Sequence, residues 1–172
     1  MEKFLVNKVA NSNLVTVNLE KFFPSNSLAP FDIKDFLFHG LILKEKDFRL
    51  ALKEFDWAKL KSAHLCVYCS TDAIIPTWAY MLVASYAEGE CESVFQGNEQ
   101  EFLNHYYNQF INSMDASIYQ DERIVIKGCS DKPVPAGAYL ALTSFLKPVA
   151  RSIMYGEPCS TVPIYKKPRQ KK

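Results

Sequence analysis

Apolar and polar residues alternate through Asn13-Leu14-Val15-Thr16-Val17-Asn18-Leu19, a period of two that predicts a half-buried strand at the edge of a sheet. Pro24 and Pro30 then mark a loop, and the pattern from Asp32 to Phe38 is ambiguous, a short helix after an Asp cap being one reading of it. At 45–55 the period changes. Phe48, Ala51, Leu52 and Phe55 recur at helical spacing within a charged stretch, the pattern of an amphipathic helix with one face inward. His64-Leu65-Cys66-Val67-Tyr68-Cys69 is a strand-like run, and a helical segment from about Ile75 to Ala87 follows it. Ser93 to Gln96 is a weaker strand. Asn98 with Glu101 three residues later forms a capping box ahead of Leu103, Tyr106, Tyr107, Phe110 and Ile111 at helical spacing. Arg123-Ile124-Val125-Ile126-Lys127 is the strongest strand, a helix from about Pro135 to Met154 follows it, and Thr161 to Tyr165 closes with a short strand.

Strands alternating with helices predict an α/β fold: one domain over 1–165, with a central, mostly parallel sheet and helices on both faces. Within it two similar strand-Cys-Ser-turn-helix units stand out. Cys69-Ser70-Thr71-Asp72-Ala73-Ile74-Ile75-Pro76-Thr77-Trp78-Ala79-Tyr80 reappears, one residue shorter, as Cys129-Ser130-Asp131-Lys132-Pro133-Val134-Pro135-Ala136-Gly137-Ala138-Tyr139. Ligands of open parallel sheets gather at the carboxyl ends of the strands, and both cysteines fall at such ends.

Composition narrows the class. The 172 residues are 48% apolar and 13% aromatic, enough for one substantial core. Five of the 20 basic residues crowd into Lys166-Lys167-Pro168-Arg169-Gln170-Lys171-Lys172, a short tail expected to be solvated and frayed. Residues 1–165 therefore carry 15 basic against 19 acidic side chains, net −4, which argues against a nucleic-acid-binding face. The uncharged runs Ala73–Ala87 and Pro133–Leu146 fall short of the ~20 apolar residues of a bilayer span. The N-terminus lacks the apolar core and cleavage site of a signal peptide. With five cysteines, an odd number, the chain is expected in a reducing cytoplasm with free thiols.

Three of the five cysteines precede serine: Cys69, Cys129 and Cys159. A thiol at a helix N-terminus meets free N–H groups and the positive end of the helix dipole, which favour the thiolate that binds metal or attacks. With the two repeat strands side by side, Cys69 and Cys129 face one crevice, and Cys159, just after Gly156 ends the preceding helix, supplies a third sulfur. Such a set suits zinc or an iron–sulfur species. The spacing lacks C-x-x-C pairs, so thiol chemistry at Cys129 and simple packing remain alternatives. Asp72 and Asp131 either cap their helices or join the site, and Lys132 with Lys127 flanks Cys129, placed to lower its pKa or bind an anion. Cys66 reads as core, and Cys91, between Glu90 and Glu92, as an exposed turn residue with a disfavoured thiolate. His39 is the most available histidine for a fourth ligand. Trp78, Tyr80 and Tyr139 read as core aromatics whose polar atoms lie near the site. No Gly-rich phosphate loop occurs.

The strings Val6-Asn7-Lys8-Val9-Ala10-Asn11-Ser12, Gly40-Leu41-Ile42-Leu43-Lys44-Glu45-Lys46-Asp47-Phe48-Arg49, Ile74-Ile75-Pro76-Thr77-Trp78-Ala79-Tyr80, Lys127-Gly128-Cys129-Ser130-Asp131-Lys132-Pro133-Val134-Pro135 and Ser152-Ile153-Met154-Tyr155-Gly156-Glu157 resemble a bacterial family, domain of unknown function 2480, found mainly in Bacteroidetes. All three Cys-Ser pairs match family positions; Cys66, Cys91 and His39 do not. The family has no established activity. Its genes are often neighbours of the sulfur-mobilisation machinery, so the resemblance implies iron–sulfur assembly proteins as partners. The sequence thus predicts a cytoplasmic protein holding a metal or iron–sulfur species on Cys69, Cys129 and Cys159. Its rivals are a thiol enzyme transferring persulfide or acyl groups through Cys129, and an interaction module with structural cysteines.

Overall fold

The computed structural model describes residues 7–8, 14–128, 131–157 and 160–168. In chain order the elements are β1 (Asn7–Lys8), β2 (Leu14–Asn18), β3 (Ser27–Asp32), β4 (Leu37–Phe38), β5 (Ile42–Leu43), α1 (Glu45–Glu54), β6 (Ala63–Tyr68), α2 (Thr77–Ala87), β7 (Ser93–Gln96), α3 (Glu99–Asn112), β8 (Arg123–Lys127), α4 (Ala136–Leu146), β9 (Ser152–Glu157) and β10 (Ser160–Lys166). Short 3-10 helices occupy Leu19–Phe22, Ile33–Phe36, Trp57–Leu60 and Ala116–Tyr119. The fold is α/β with mostly parallel strands, and these divide between two compact units.

The inserted unit, Pro24–Phe102, holds the parallel sheet β3-β6-β7 and the antiparallel hairpin β4–β5. Phe31, Leu65 and Val67 of this sheet share a core with Phe48 and Leu52 of α1 and with Ala79 and Val83 of α2. Pro30, read from sequence as loop, lies inside β3. Among the described residues that strand pairs with β6 alone, so the missing N–H is tolerated on a sheet edge.

The split unit, Met1–Phe23 with Leu103–Lys172, carries the sheet β1-β2-β8-β9-β10, in which β2, β8 and β9 run parallel. Val15 and Val17 of β2 are buried, as the alternation predicts, with Ile124, Ile126, Tyr107, Ile111 and Leu142 in one core. The strand is not at an edge, however: β1 pairs along its other side. The helix expected to reach Met154 stops at Leu146. Lys147 N–H makes the last helical bond, to Thr143, and Pro148 has no N–H with which to continue. Ser152-Ile153-Met154-Tyr155 instead pairs with β8 as a strand.

The two units repeat one plan. Each runs strand, 3-10 helix, α-helix, 3-10 helix, central strand, loop, α-helix, parallel strand. From α1 to the end of β7, one constant offset along the chain carries the inserted unit onto the split unit without a gap. It matches Phe48 with Tyr107, Asp56 with Asp115, Pro76 with Pro135, Ala79-Tyr80 with Ala138-Tyr139, and Gly97 with Gly156. The backbone repeats as well. Ser62 and Asp121 have φ of 63° and 57°, Gly97 and Gly156 of 141° and 119°. The first strands correspond too, since Asn18 and Asp32 each cap the following 3-10 helix by accepting from the N–H two residues on.

Candidate functional site

The repeat fixes what each cysteine corresponds to. In the strand registers Asn18 lies opposite Lys127 and Asp32 opposite Tyr68, so Lys127 and Tyr68 are counterparts. The following segments, 69–76 and 128–135, then have equal length and both end at the proline preceding a helix. Matching at Cys-Ser, which makes the second copy one residue short, slips by one position. In the fold Cys69 corresponds to Gly128 and Ser70 to Cys129, while Asp72 and Asp131 coincide.

In the inserted unit Cys69 is a half-buried free thiol after the end of β6. Residues 70–76 separate it from the first turn of α2, so the helix-terminus argument does not reach it. Its Sγ lies 3.3 Å from Thr71 Oγ1. Burial, then the neighbouring Cys69 thiolate charge, push the Tyr80 phenol up, so this hydroxyl stays protonated beside the sulfur. Asp32 anchors the segment: its Oδ1 accepts from the N–H groups of Ser70 and Lys34, both at 3.0 Å, and Oδ2 sits 3.3 Å from Lys34 Nζ. Burial alone would raise the Asp32 carboxyl, but the Ser70 and Lys34 hydrogen bonds outweigh it and hold it below its ordinary value.

In the split unit, Cys129 and Cys159 lie outside the described residues, as do Ser130 and Pro158. Their flanks are described. Gly128 has φ +135°, and a Cβ there would come within 3.0 Å of Glu20 N and 3.1 Å of Leu19 Cβ, so the chain passes this point only without a side chain. Tyr139 donates its hydroxyl to the Gly128 carbonyl, and Glu20 Oε1 accepts from Asp131 N–H at 2.7 Å and Lys132 N–H at 3.4 Å. Both ends of the Cys129 segment are thereby held. Lys127, last residue of β8, donates to both carboxylate oxygens of Glu157, last residue of β9, at 3.0 and 2.8 Å. The flanks of Cys129 and Cys159 thus meet at the carboxyl ends of two paired parallel strands.

The repeat strands β6 and β8 are not neighbours; each is central in its own sheet. Asp72 and Asp131 do not cap the helices, whose N-cap positions are Pro76 and Pro135 with no side-chain bond. Lys132 Nζ lies 5.5 Å from the Phe23 ring centroid. Cys66 is fully buried and its thiol is pushed up to about 11 by burial and then by Glu99. Cys91 is half-buried rather than exposed, donating towards the carbonyls of Ala87 and Ser93 at 3.5 Å. Burial first, and Glu88 next, disfavour its thiolate. His39 is exposed at a φ of 50° in the β4–β5 turn and His64 bonds Ser93 Oγ at 2.8 Å. Among the described residues no three His, Cys, Asp or Glu side chains come together as a metal site, and no helix is long and apolar enough to cross a membrane.

Glu20 and Asp32, which anchor the two loops, escape a search for cysteines; the polar residue closing each first strand, Asn18 and Asp32, is their nearest signal. No curated protein and no solved structure matches the chain. Residues 3–167 match one protein family over nearly their whole length, and the chain therefore belongs to the family described as Protein of unknown function (DUF2480).

Proposed function

We propose that the protein holds a soft metal, zinc or an iron–sulfur species, on cysteine thiolates, with Cys129 and Cys159 of the split unit as the ligand pair. The observation that carries this reading is that Lys127 and Glu157, two residues before Cys129 and Cys159, meet at the carboxyl ends of two paired strands. Thiolates are the ligands that zinc and iron–sulfur centres prefer, and bound metal would keep them deprotonated at neutral pH. The clamps at Gly128, Asp131 and Lys132 support it as well, because a site that must present a sulfur at a fixed place needs its loop held on both sides. A role as an accessory to iron–sulfur cluster assembly in the cytoplasm belongs to the same reading.

The test is metal and sulfide analysis of protein purified without oxygen, alongside Cys129→Ser, Cys159→Ser and Cys69→Ser. The expected result is stoichiometric zinc, or iron with sulfide, lost in the first two variants. The Cys69→Ser protein reports whether the thiol of the inserted unit contributes. Negligible metal in the parent protein, or undiminished metal in the Cys129→Ser/Cys159→Ser double variant, would overturn the reading.

A further inference from the structure

The split unit carries an element that its twin lacks. Its sheet continues past β9 into β10, which has no counterpart after β7. Between α4 and this added hairpin lies a groove of about 560 Å³, within the ~300–1,000 Å³ of small-molecule sites. Val134, Tyr139, Leu140, Ser144, Tyr155 and Ile164 are among its walls, and among the described residues no charged side chain lines it. Leu140 and Ile164 are 70% and 51% exposed, an unusual amount of aliphatic surface to leave beside a cleft.

Net positive charge gathers at one end. Leu140, Ser144 and Lys147 follow one another at helical spacing along the groove side of α4, and Lys147 Nζ stands 5.9 Å from the Tyr165 ring on β10. At that end Lys166 pairs with Ser152, next to Arg151, and Lys167 N–H donates to the Arg151 carbonyl at 2.9 Å. Of Lys147, Arg151, Lys166 and Lys167, among the described residues Lys167 alone has a carboxylate within 4 Å, Asp121 at 3.7 Å from its Nζ. At the opposite end Lys127 is neutralised by Glu157. The groove is therefore apolar and uncharged along its length and basic at one end.

We propose that this groove binds an anionic amphiphile, a carboxylate bearing an apolar chain, with the chain against α4 and β10 and the carboxylate at the lysine-rich end. The complementarity of the basic end selects an anion, and the uncharged hydroxyl-bearing walls select an apolar body over a polar one. The proposal is independent of the thiol reading, since the named walls and the basic end carry it without any cysteine.

Calorimetric titration of the whole protein with dodecanoate, decanoate and 1-decanol tests it. Dodecanoate is expected to bind one to one, and decanoate about tenfold more weakly for its two missing methylenes. Lys147→Glu should weaken decanoate about three- to fivefold without changing 1-decanol. Leu140→Arg, at an exposed position, should cost at least tenfold for every ligand, and Ser144→Trp, also exposed, should act likewise by filling the space. Unchanged far-UV circular dichroism in these variants would tie the loss to the groove. No dodecanoate binding below its aggregation threshold, or equal binding by both groove variants, would overturn the site. Equal affinity for decanoate and 1-decanol, with Lys147→Glu neutral, would overturn its anionic specificity.

Discussion

Tyr107→Phe tests the repeat and the packing together. Tyr107 is fully buried on α3, and its hydroxyl donates to the Leu19 carbonyl at 2.9 Å, joining α3 to the 3-10 helix that follows β2. Burial drives its phenol far above the ordinary value, so the group is a neutral donor at every accessible pH. The substitution keeps the ring and leaves the carbonyl of Leu19, a residue only 1% exposed, without that donor. Losing one partner of a buried pair costs about 1–3 kcal/mol, and relief from burying the hydroxyl offsets part of it, leaving roughly 1.5 kcal/mol. In a chain of this length that is a fall of about 3–6 °C in Tm. The reciprocal change, Phe48→Tyr, puts a hydroxyl at the corresponding position of the inserted unit, where the repeat predicts that the Ile33 carbonyl takes the part of Leu19. It is expected to cost under about 1 kcal/mol, less than an unpartnered buried hydroxyl. Urea unfolding of both variants measures the values. An unchanged or raised midpoint for Tyr107→Phe would refute the hydrogen bond, and a loss above about 2 kcal/mol for Phe48→Tyr would refute the equivalence of the two positions.

Gly128→Ala should destabilise by about 2–4 kcal/mol in thermal or urea melts, from its left-handed φ and the 3.0 Å approach to Glu20 N; Cys69→Ala, at the corresponding position, should cost under about 1.5 kcal/mol. Iodoacetamide at pH 7.5, followed by peptide mass spectrometry, should label Cys69 well before Cys66 or Cys91, whose thiolates burial disfavours. Asp32 has a folded-state pKa below its unfolded one, so its contribution is complete above about pH 4 and is lost as pH falls through the folded value. Acid unfolding of Asp32→Asn should show a smaller loss of stability over that interval than the parent. His64 is shifted down chiefly by burial, so the folded state resists its protonation and stability should decline as pH falls below about 6.5. Replacing His64 with Gln should flatten that slope in melts recorded between pH 5 and 8.

Most elements were legible because their cause is local. Alternation at Leu14–Asn18, the apolar stripe of α1, and the reciprocal bonds of Asn98 and Glu101 at 2.8 and 3.0 Å depend on neighbours in sequence. Where a distant partner decides, the reading erred. Ser152–Glu157 becomes a strand because β8 offers it an edge, β2 is interior because β1 returns beside it, and Pro30 enters a strand because its outer side is free. Cys91 is covered although acidic residues surround it in sequence.

The candidate site divides along the same line. That cysteines follow the two central strands, that prolines precede the two helices, and that Ala-Tyr recurs after them were all determined by the sequence alone, since each is a matter of residue type and local spacing. Their correspondence was not. Identity of the Cys-Ser pair aligned Cys69 with Cys129, whereas strand register, set by hydrogen bonds between residues far apart in the chain, aligns Cys69 with Gly128 and Ser70 with Cys129. The tertiary structure likewise decided that Lys127 meets Glu157 and that Tyr139 and Glu20 hold the residues on either side of Cys129, because only the folded chain brings those residues within bonding distance.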